Sequence, residues 1–188
     1  MNMEKKFELT DNFIINAFGV KLFQIKCTKS FKYAKEGDLG GYVEKDENLD
    51  QESDAWVSGN AEVSGNARVY GYAEVAGNAR VAGNAWVAGN ARVAGNAWVS
   101  GNARVYGYAE IDNNNKHCGF DCFGSANRHT HAYLTKENKV EITCGCFRGS
   151  IEEFEKRVEE THSGTIYEKQ YKAIIDVIKI KFGLTDLI

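Results

Sequence analysis

All four histidines and four of the five cysteines of this chain lie after residue 111. Cys118 and Cys122, Cys144 and Cys146, and His117, His129 and His131 all fall there. Thiolate and imidazole are the donors that zinc takes. Cys144 and Cys146 alternate to one side of an expected strand, as His129 and His131 do on its neighbour. A Cys-x-Cys spacing is nevertheless unusual for structural zinc, and small thiols also fill compact cores. No metal and no cofactor is therefore expected. The chain has five cysteines, an odd number with tight local spacings. They read as free thiols of a reducing compartment and not as a disulfide framework.

A second group suits an anion. Gly124, Ser125, Asn127 and Arg128 form one polar turn, and Arg148 precedes Gly149-Ser150 at the start of a helix. Guanidinium groups and a helix N-terminus together fit phosphate. Turn chemistry and an N-cap explain the same glycines and serines without a ligand. A third group is aromatic: Tyr70, Tyr72, Tyr106 and Tyr108. What those rings can do depends on the elements that hold them.

Ten six-residue units run from Asp54 to Ile111, most of them reading Gly-Asn-Ala-x-Val-x. A strict period of six is neither a helix period nor a simple strand alternation. It predicts a mainly β fold, a left-handed parallel β-helix in which each unit is one short face of a triangular coil. Ala and Val or Ile point inward. Three units make a coil of eighteen residues, so residues eighteen apart stack at the β spacing of ~4.8 Å.

That register sorts the outward residues into three columns: Trp56, Glu74, Arg92, Glu110; then Glu62, Arg80, Trp98; then Arg68, Trp86, Arg104. Trp86 and Trp98 with Arg68, Arg80 and Arg104 are candidate contact surfaces for self-association as a trimer or dimer, since Trp and Arg are enriched at interfaces. The segment Asn66 to Glu74 recurs word for word at Asn102 to Glu110, two coils on. Tyr70 therefore shares a column with Tyr106, and Tyr72 with Tyr108. A gap of two rungs, ~9.6 Å, approaches what is needed to hold a flat ring between two aromatic faces. Packing against another segment or subunit is the plainer reading of the same column.

Residues 1–53 form a mixed N-terminal portion. Val20 to Cys27 reads as a strand with Phe23, Ile25 and Cys27 on one face, and Gly37 to Gly41 as a turn-rich loop. Val43 and Leu49, six apart, mark an imperfect first coil. Residues 54–111 are the solenoid. Residues 112–188 read as an α+β module, a hairpin plus two helices. Its strands are His129 to Thr135 and Lys139 to Cys146. Ser150-x-x-Glu153 is a capping box that opens a helix bearing Ile151, Phe154 and Val158. Tyr167, Tyr171, Ile174, Ile175 and Ile178 stripe a second helix as core.

Net charge is −3, from 26 acidic and 23 basic residues, and residues 55–111 carry four arginines against three glutamates. Neither balance supports a strong nucleic-acid partner. No apolar run reaches the ~18 residues of a membrane span, and the first dozen residues lack the apolar core of a signal peptide. A cytoplasmic chain with no membrane segment is expected.

The repeat tract resembles the β-helix of hexapeptide acyltransferases, and the whole chain resembles a narrower group. Leu22-x-x-Ile25, Phe31, Gly37-Asp-Leu-Gly-Gly-Tyr-Val-Glu44 and Asn48-Leu49 are similar to the lead-in of hexapeptide-repeat proteins of bacteriophages and prophages. Gly124-Ser125-x-Asn127-Arg128, Thr143-Cys-Gly-Cys-Phe147-Arg-Gly149, Glu153-Phe154 and Glu160-Thr-His162 resemble that group's C-terminal module. The likeness covers roughly residues 20–170, and Cys118 to Cys122 departs from it. Members are often labelled transferases or polymer-forming proteins. The resemblance implies a small accessory protein of the bacterial host cytosol, with antagonism of host defence as the expected role.

Acyltransferases of this type place a catalytic His on a coil or an extruded loop. The tract has neither a His nor an inserted loop, so a general base is hard to position. The expected function is a non-catalytic binding protein that self-associates through the solenoid and takes a host protein or a small nucleotide-type ligand. An acyltransferase using the C-terminal histidines and a purely structural self-assembling protein are the alternatives.

Overall fold

The computed structural model describes residues 5–184. Residues 1–4, part of the stretch read above for a leader, lie outside it. The chain is mainly β, a parallel solenoid of about four turns followed by a separate antiparallel sheet and two helices. Strands β1 (Phe7–Ile15) and β2 (Lys21–Cys27) form a hairpin, and β3 (Leu39–Val43) joins it to the coil. Ten two-residue strands, β4 to β13, follow from Trp56–Val57 to Glu110–Ile111, one per repeat. Next come β14 (His117–Phe123), β15 (Arg128–Leu134), β16 (Val140–Cys144) and β17 (Phe147–Gly149), an antiparallel sheet in chain order. Helices α1 (Ile151–His162) and α2 (Ile166–Lys181) close the chain.

The eighteen-residue register holds at every rung of the tract. Val57, Val75, Val93 and Ile111 form one interior column, and Ala61, Ala79 and Ala97 belong to another, all of them fully buried. Each repeat turns on a glycine in the left-handed region, such as Gly77 at φ +69°. A Cβ there would lie 3.1 Å from the nitrogen of Gly95 one rung on, so stacked corners at this spacing require glycine. The asparagines that follow form amide ladders at two of the three corners: Asn60, Asn78 and Asn96, then Asn66, Asn84 and Asn102, each step 3.1–3.2 Å. The third corner carries Tyr72, Asn90 and Tyr108 and has no ladder, since one amide between two tyrosines has nothing to pair with.

The first coil is longer than the rest. Val43 pairs with Val63 and Leu49 with Val69, twenty residues on, whereas Val63 pairs with Val81 at eighteen. The two extra residues fall between Leu49 and Val57. Lys6 closes this end: its ammonium donates to the carbonyls of Asp50, Ser53 and Ala55 at 2.6–2.7 Å.

All three outward columns form as expected, with one correction. Trp56 shares its column with Glu74 but is only 3 % exposed, because Phe31 packs edge-on against it at 5.4 Å and the Gly40 backbone lies on its ring. In the strand read at residues 20–27, Ile25 and Cys27 are buried with Leu22, while Phe23 is only half-buried. β1 and β14 complete hairpins that were not anticipated. The β1 sequence is broken by a register shift between Leu9 and Phe13, and Gly119 interrupts the apolar alternation of β14. Both C-terminal helices form as expected, α1 with the Ser150–Glu153 capping box and α2 burying Tyr171, Ile174, Ile175 and Ile178. Among the described residues, no helix is long and apolar enough to cross a membrane.

Candidate functional site

The last coil of any solenoid presents unpaired backbone groups. Here Asn114, in the turn before β14, and the antiparallel sheet cover them with side chains. Asn114 accepts from the Trp98 N–H at 2.8 Å, the Thr143 hydroxyl donates to the Arg104 carbonyl at 3.0 Å, and the Tyr133 hydroxyl accepts from the Tyr106 N–H at 3.3 Å. Tyr133 is fully buried and joins the solenoid core.

This capping duty accounts for His131 and His117. His131 is fully buried, with its Nδ1 3.4 Å from the Arg104 carbonyl and its Nε2 3.0 Å from Nδ1 of His117. Burial, aided by the neighbouring imidazoles, pushes His131 down to about 3; burial and the nearby Lys181 push His117 down to about 4. Both are neutral structural groups at physiological pH. His129 donates from Nδ1 to the Asp121 carboxylate at 2.7 Å, while its Nε2 is buried without a partner. An Asp–His pair resembles the base of a hydrolase, but a nucleophile would have to be bonded to that free nitrogen, and none is.

The cysteines disperse. Cys144 is buried beside the Tyr171 hydroxyl at 3.8 Å, Cys146 is exposed in the following turn, Cys118 is half-buried and Cys122 is exposed. The expected alternation of Cys144 and Cys146 on one strand fails because β16 ends at Cys144. Among the described residues, no three His, Cys, Asp or Glu side chains gather as metal ligands would.

Arg128, Cys144 to Arg148 and one face of α1, which carries both Glu153-Phe154 and Glu160 to His162, instead meet around one open groove of about 600 Å³. These are the segments that carry the resemblance of the C-terminal module. His162 stacks on Tyr171 at 5.5 Å, and Phe154 meets the other side of Tyr171 edge-on. Both carboxylates of the groove are engaged: Glu153 accepts from the Ser150 N–H at 2.8 Å, and Glu160 lies 3.9 Å from Arg157. Arg128 and Lys156 have no carboxylate partner among the described residues.

Arg128 also lines an adjoining hollow of about 360 Å³ with Asn102, Arg104, Asn127, His129 and Thr143, a wall without a carboxylate. Gly145, at φ +61°, lets the Arg128 side chain lie on the Cys-Gly-Cys turn. From the other side, Arg104 donates to the Gly145 carbonyl at 3.0 Å. The turn is held between two guanidinium groups.

The expected anion set is thus divided. Arg148 reaches the groove, but its guanidinium is bound in two places to Glu141, at 2.8 and 3.0 Å. Glu141 also accepts from the Tyr133 hydroxyl, so Arg148 anchors the cap. Gly124 donates its N–H to Gln170 at 3.0 Å and lies against Tyr171, docking α2. Ser125 is exposed beside it. Asn127 and Arg128 stay available, and Arg104, whose guanidinium is bonded to the Gly145 carbonyl, lines the hollow beside them.

The tyrosine column also divides. Tyr70 and Tyr106 are half-buried on either side of the small, buried Ala88; burial, aided by the neighbouring Tyr106 hydroxyl, pushes Tyr70 up to about 12. Tyr72 and Tyr108 stay exposed, with Lys32 over one ring at 5.5 Å and Lys136 over the other at 4.4 Å. On the solenoid faces, Trp86 meets Tyr70 at 6.0 Å and carries Arg104 over its ring at 5.4 Å, with Arg68 on the rung below. Trp98 is 42 % exposed, and Phe18 of the β1–β2 turn packs on it at 5.8 Å.

No protein-family model matches the chain, and no curated protein matches it.

Proposed function

We propose that this chain is a non-catalytic binding protein of phage or prophage type. It self-associates through its solenoid and holds a small planar, phosphate-bearing ligand of nucleotide type in the groove at Arg128. One observation carries the reading. The motif segments of the C-terminal module converge on a groove whose carboxylates are engaged and whose Arg128 is not. A guanidinium without a carboxylate is the group that best takes phosphate oxygens in pairs. The part-exposed rings of His162 and Phe147, backed by the buried Tyr171 and Phe154, supply aromatic surface for a ring. An accessory protein that sequesters such a ligand would antagonise a defence that signals with it.

Calorimetric titration with orthophosphate and with mono-, di- and cyclic nucleotides tests this. At least one nucleotide should bind, and Arg128→Ala should abolish the heat while leaving the circular dichroism spectrum unchanged. A wild-type protein that binds no member of the panel, or an Arg128→Ala variant that binds as well as wild type, would sink the reading.

A further inference from the structure

The three faces of the solenoid are not equivalent. On one, Arg80 lies 3.6 Å from Glu62, and Trp98 is covered in part by Phe18. On the next, Arg92 sits between Glu74 and Glu110, at 3.6 and 3.9 Å, and Trp56 is buried. The third face carries Arg68, Trp86 and Arg104 on successive rungs. Among the described residues, neither of its guanidinium groups has a carboxylate partner. Below it, in the long first coil, lies an acidic segment in which Glu47 and Glu52 are exposed. Between that segment and Trp86 is a hollow of about 620 Å³ walled by carboxylates on one side and by Arg68, Tyr70 and Trp86 on the other.

Charge on this face therefore runs from acidic at the first coil to basic at Arg104, three rungs or ~14 Å along the axis. We infer that this face is the self-association surface and that its occupant is a second copy of the chain, bound antiparallel about a two-fold axis between the Arg68 and Trp86 rungs. The inference rests on the self-association reading and adds the face, the direction and the pairing to it. A two-fold at that height maps the first coil onto the Arg104 rung and the Arg68 rung onto the Trp86 rung. Glu47 and Glu52 then meet the second copy's Arg104. Arg68 lies over the second copy's Trp86, and the reciprocal contact repeats on the other side, as an isologous interface requires. A parallel three-fold arrangement would set acid against acid and arginine against arginine at each level. The face is only about four rungs tall, so the area is small and association in roughly the micromolar range is expected.

Charge reversal in two halves tests the pairing. Glu47→Lys/Glu52→Lys sets lysine against Arg104, and Arg104→Glu sets glutamate against glutamate, so each variant alone should sediment as a monomer where wild type forms a dimer. Mixed, the two variants should recover a heterodimer, because both contacts are then between opposite charges. Circular dichroism of each variant reports folding, and Trp86→Ala, which leaves every charge in place, should weaken the dimer at least tenfold. A wild-type monomer at the highest soluble concentration overturns both this inference and self-association itself. A wild-type trimer, or a dimer indifferent to the charge reversals, overturns the antiparallel face and leaves self-association standing. Folded monomeric variants that fail to pair when mixed overturn the register.

Discussion

A β-carbon on Gly145 would stand 2.7 Å from Nη1 of Arg128. That distance makes the glycine of the Cys-Gly-Cys turn a seat for the arginine as well as a left-handed turn residue. Gly145→Ala should therefore do two separable things. A left-handed alanine costs roughly 1–2 kcal/mol of stability, measurable by urea unfolding. Displacing Arg128 should also weaken ligand binding about as much as Arg128→Ala does. A Gly145→Ala protein that is destabilised but binds normally would show that the seat does not matter to the ligand.

Val81 pairs with Val63 below and Val99 above and is fully buried. Val81→Asp places an unpaired carboxylate in a column of aliphatic side chains, where no neighbour can answer the charge. The expected loss exceeds ~4 kcal/mol, enough to prevent folding. Arg80→Ala, one residue away on the outside, should cost less than ~1 kcal/mol, since Arg80 is exposed and its pairing with Glu62, at 3.6 Å, lies at the surface. Comparable losses from the two substitutions would contradict the inward and outward assignment of the register.

Stability should fall in acid through the His117–His131 pair. Both imidazoles sit well below the ordinary value of 6.5, at about 4 and about 3. Between pH 6.5 and about 4 the unfolded chain binds protons that the folded chain refuses. The contribution is thus complete above pH 6.5 and is lost as pH drops through that window, at up to ~1.4 kcal/mol per pH unit for each imidazole. Urea unfolding at a series of pH values measures the slope. His117→Gln should lower it by up to one proton's worth, and an unchanged slope would show that His117 titrates normally.

The solenoid was legible because it is periodic: one spacing placed Val57 over Val75 and Arg92 between two glutamates without any knowledge of the flanks. What lay outside the period was less legible. Trp56 occupies an outward position, and only the packing of Phe31 and Gly40 on it makes it core. His129, His131, Cys144 and Cys146 looked like ligands because their spacing is local. What decides their roles is non-local: His131 meets the Arg104 carbonyl of the last coil, 27 residues away in the chain, and Cys144 lies against Tyr171 of α2. Arg148 was grouped with Arg128 as an anion binder on residue type alone. Its partner, Glu141, lies on the neighbouring strand β16, and no local motif announces the pairing.

The lead-in motif Gly37-Asp-Leu-Gly-Gly-Tyr-Val-Glu44 could be mistaken for a phosphate-cradling loop. Its geometry argues for close packing instead. A β-carbon on Gly40 would lie 2.5 Å from Cγ1 of Ile25, 2.6 Å from the Val57 carbonyl and 2.8 Å from Cζ2 of Trp56. Gly40 is not in the left-handed region, so the demand is steric and not conformational. Gly40→Ala should cost about 1–3 kcal/mol by overpacking and should push the loop off the Trp56 ring. Because Trp56 is buried while Trp98 is exposed, the displaced ring should shift tryptophan emission to the red. The same shift should persist in a Trp86→Phe/Trp98→Phe background, where Trp56 is the sole emitter. Since Gly40 lies at the far end of the solenoid from Arg128, affinity for the groove ligand should be unchanged. A Gly40→Ala protein of wild-type stability with unaltered Trp56 emission would show that the loop does not rest on the indole.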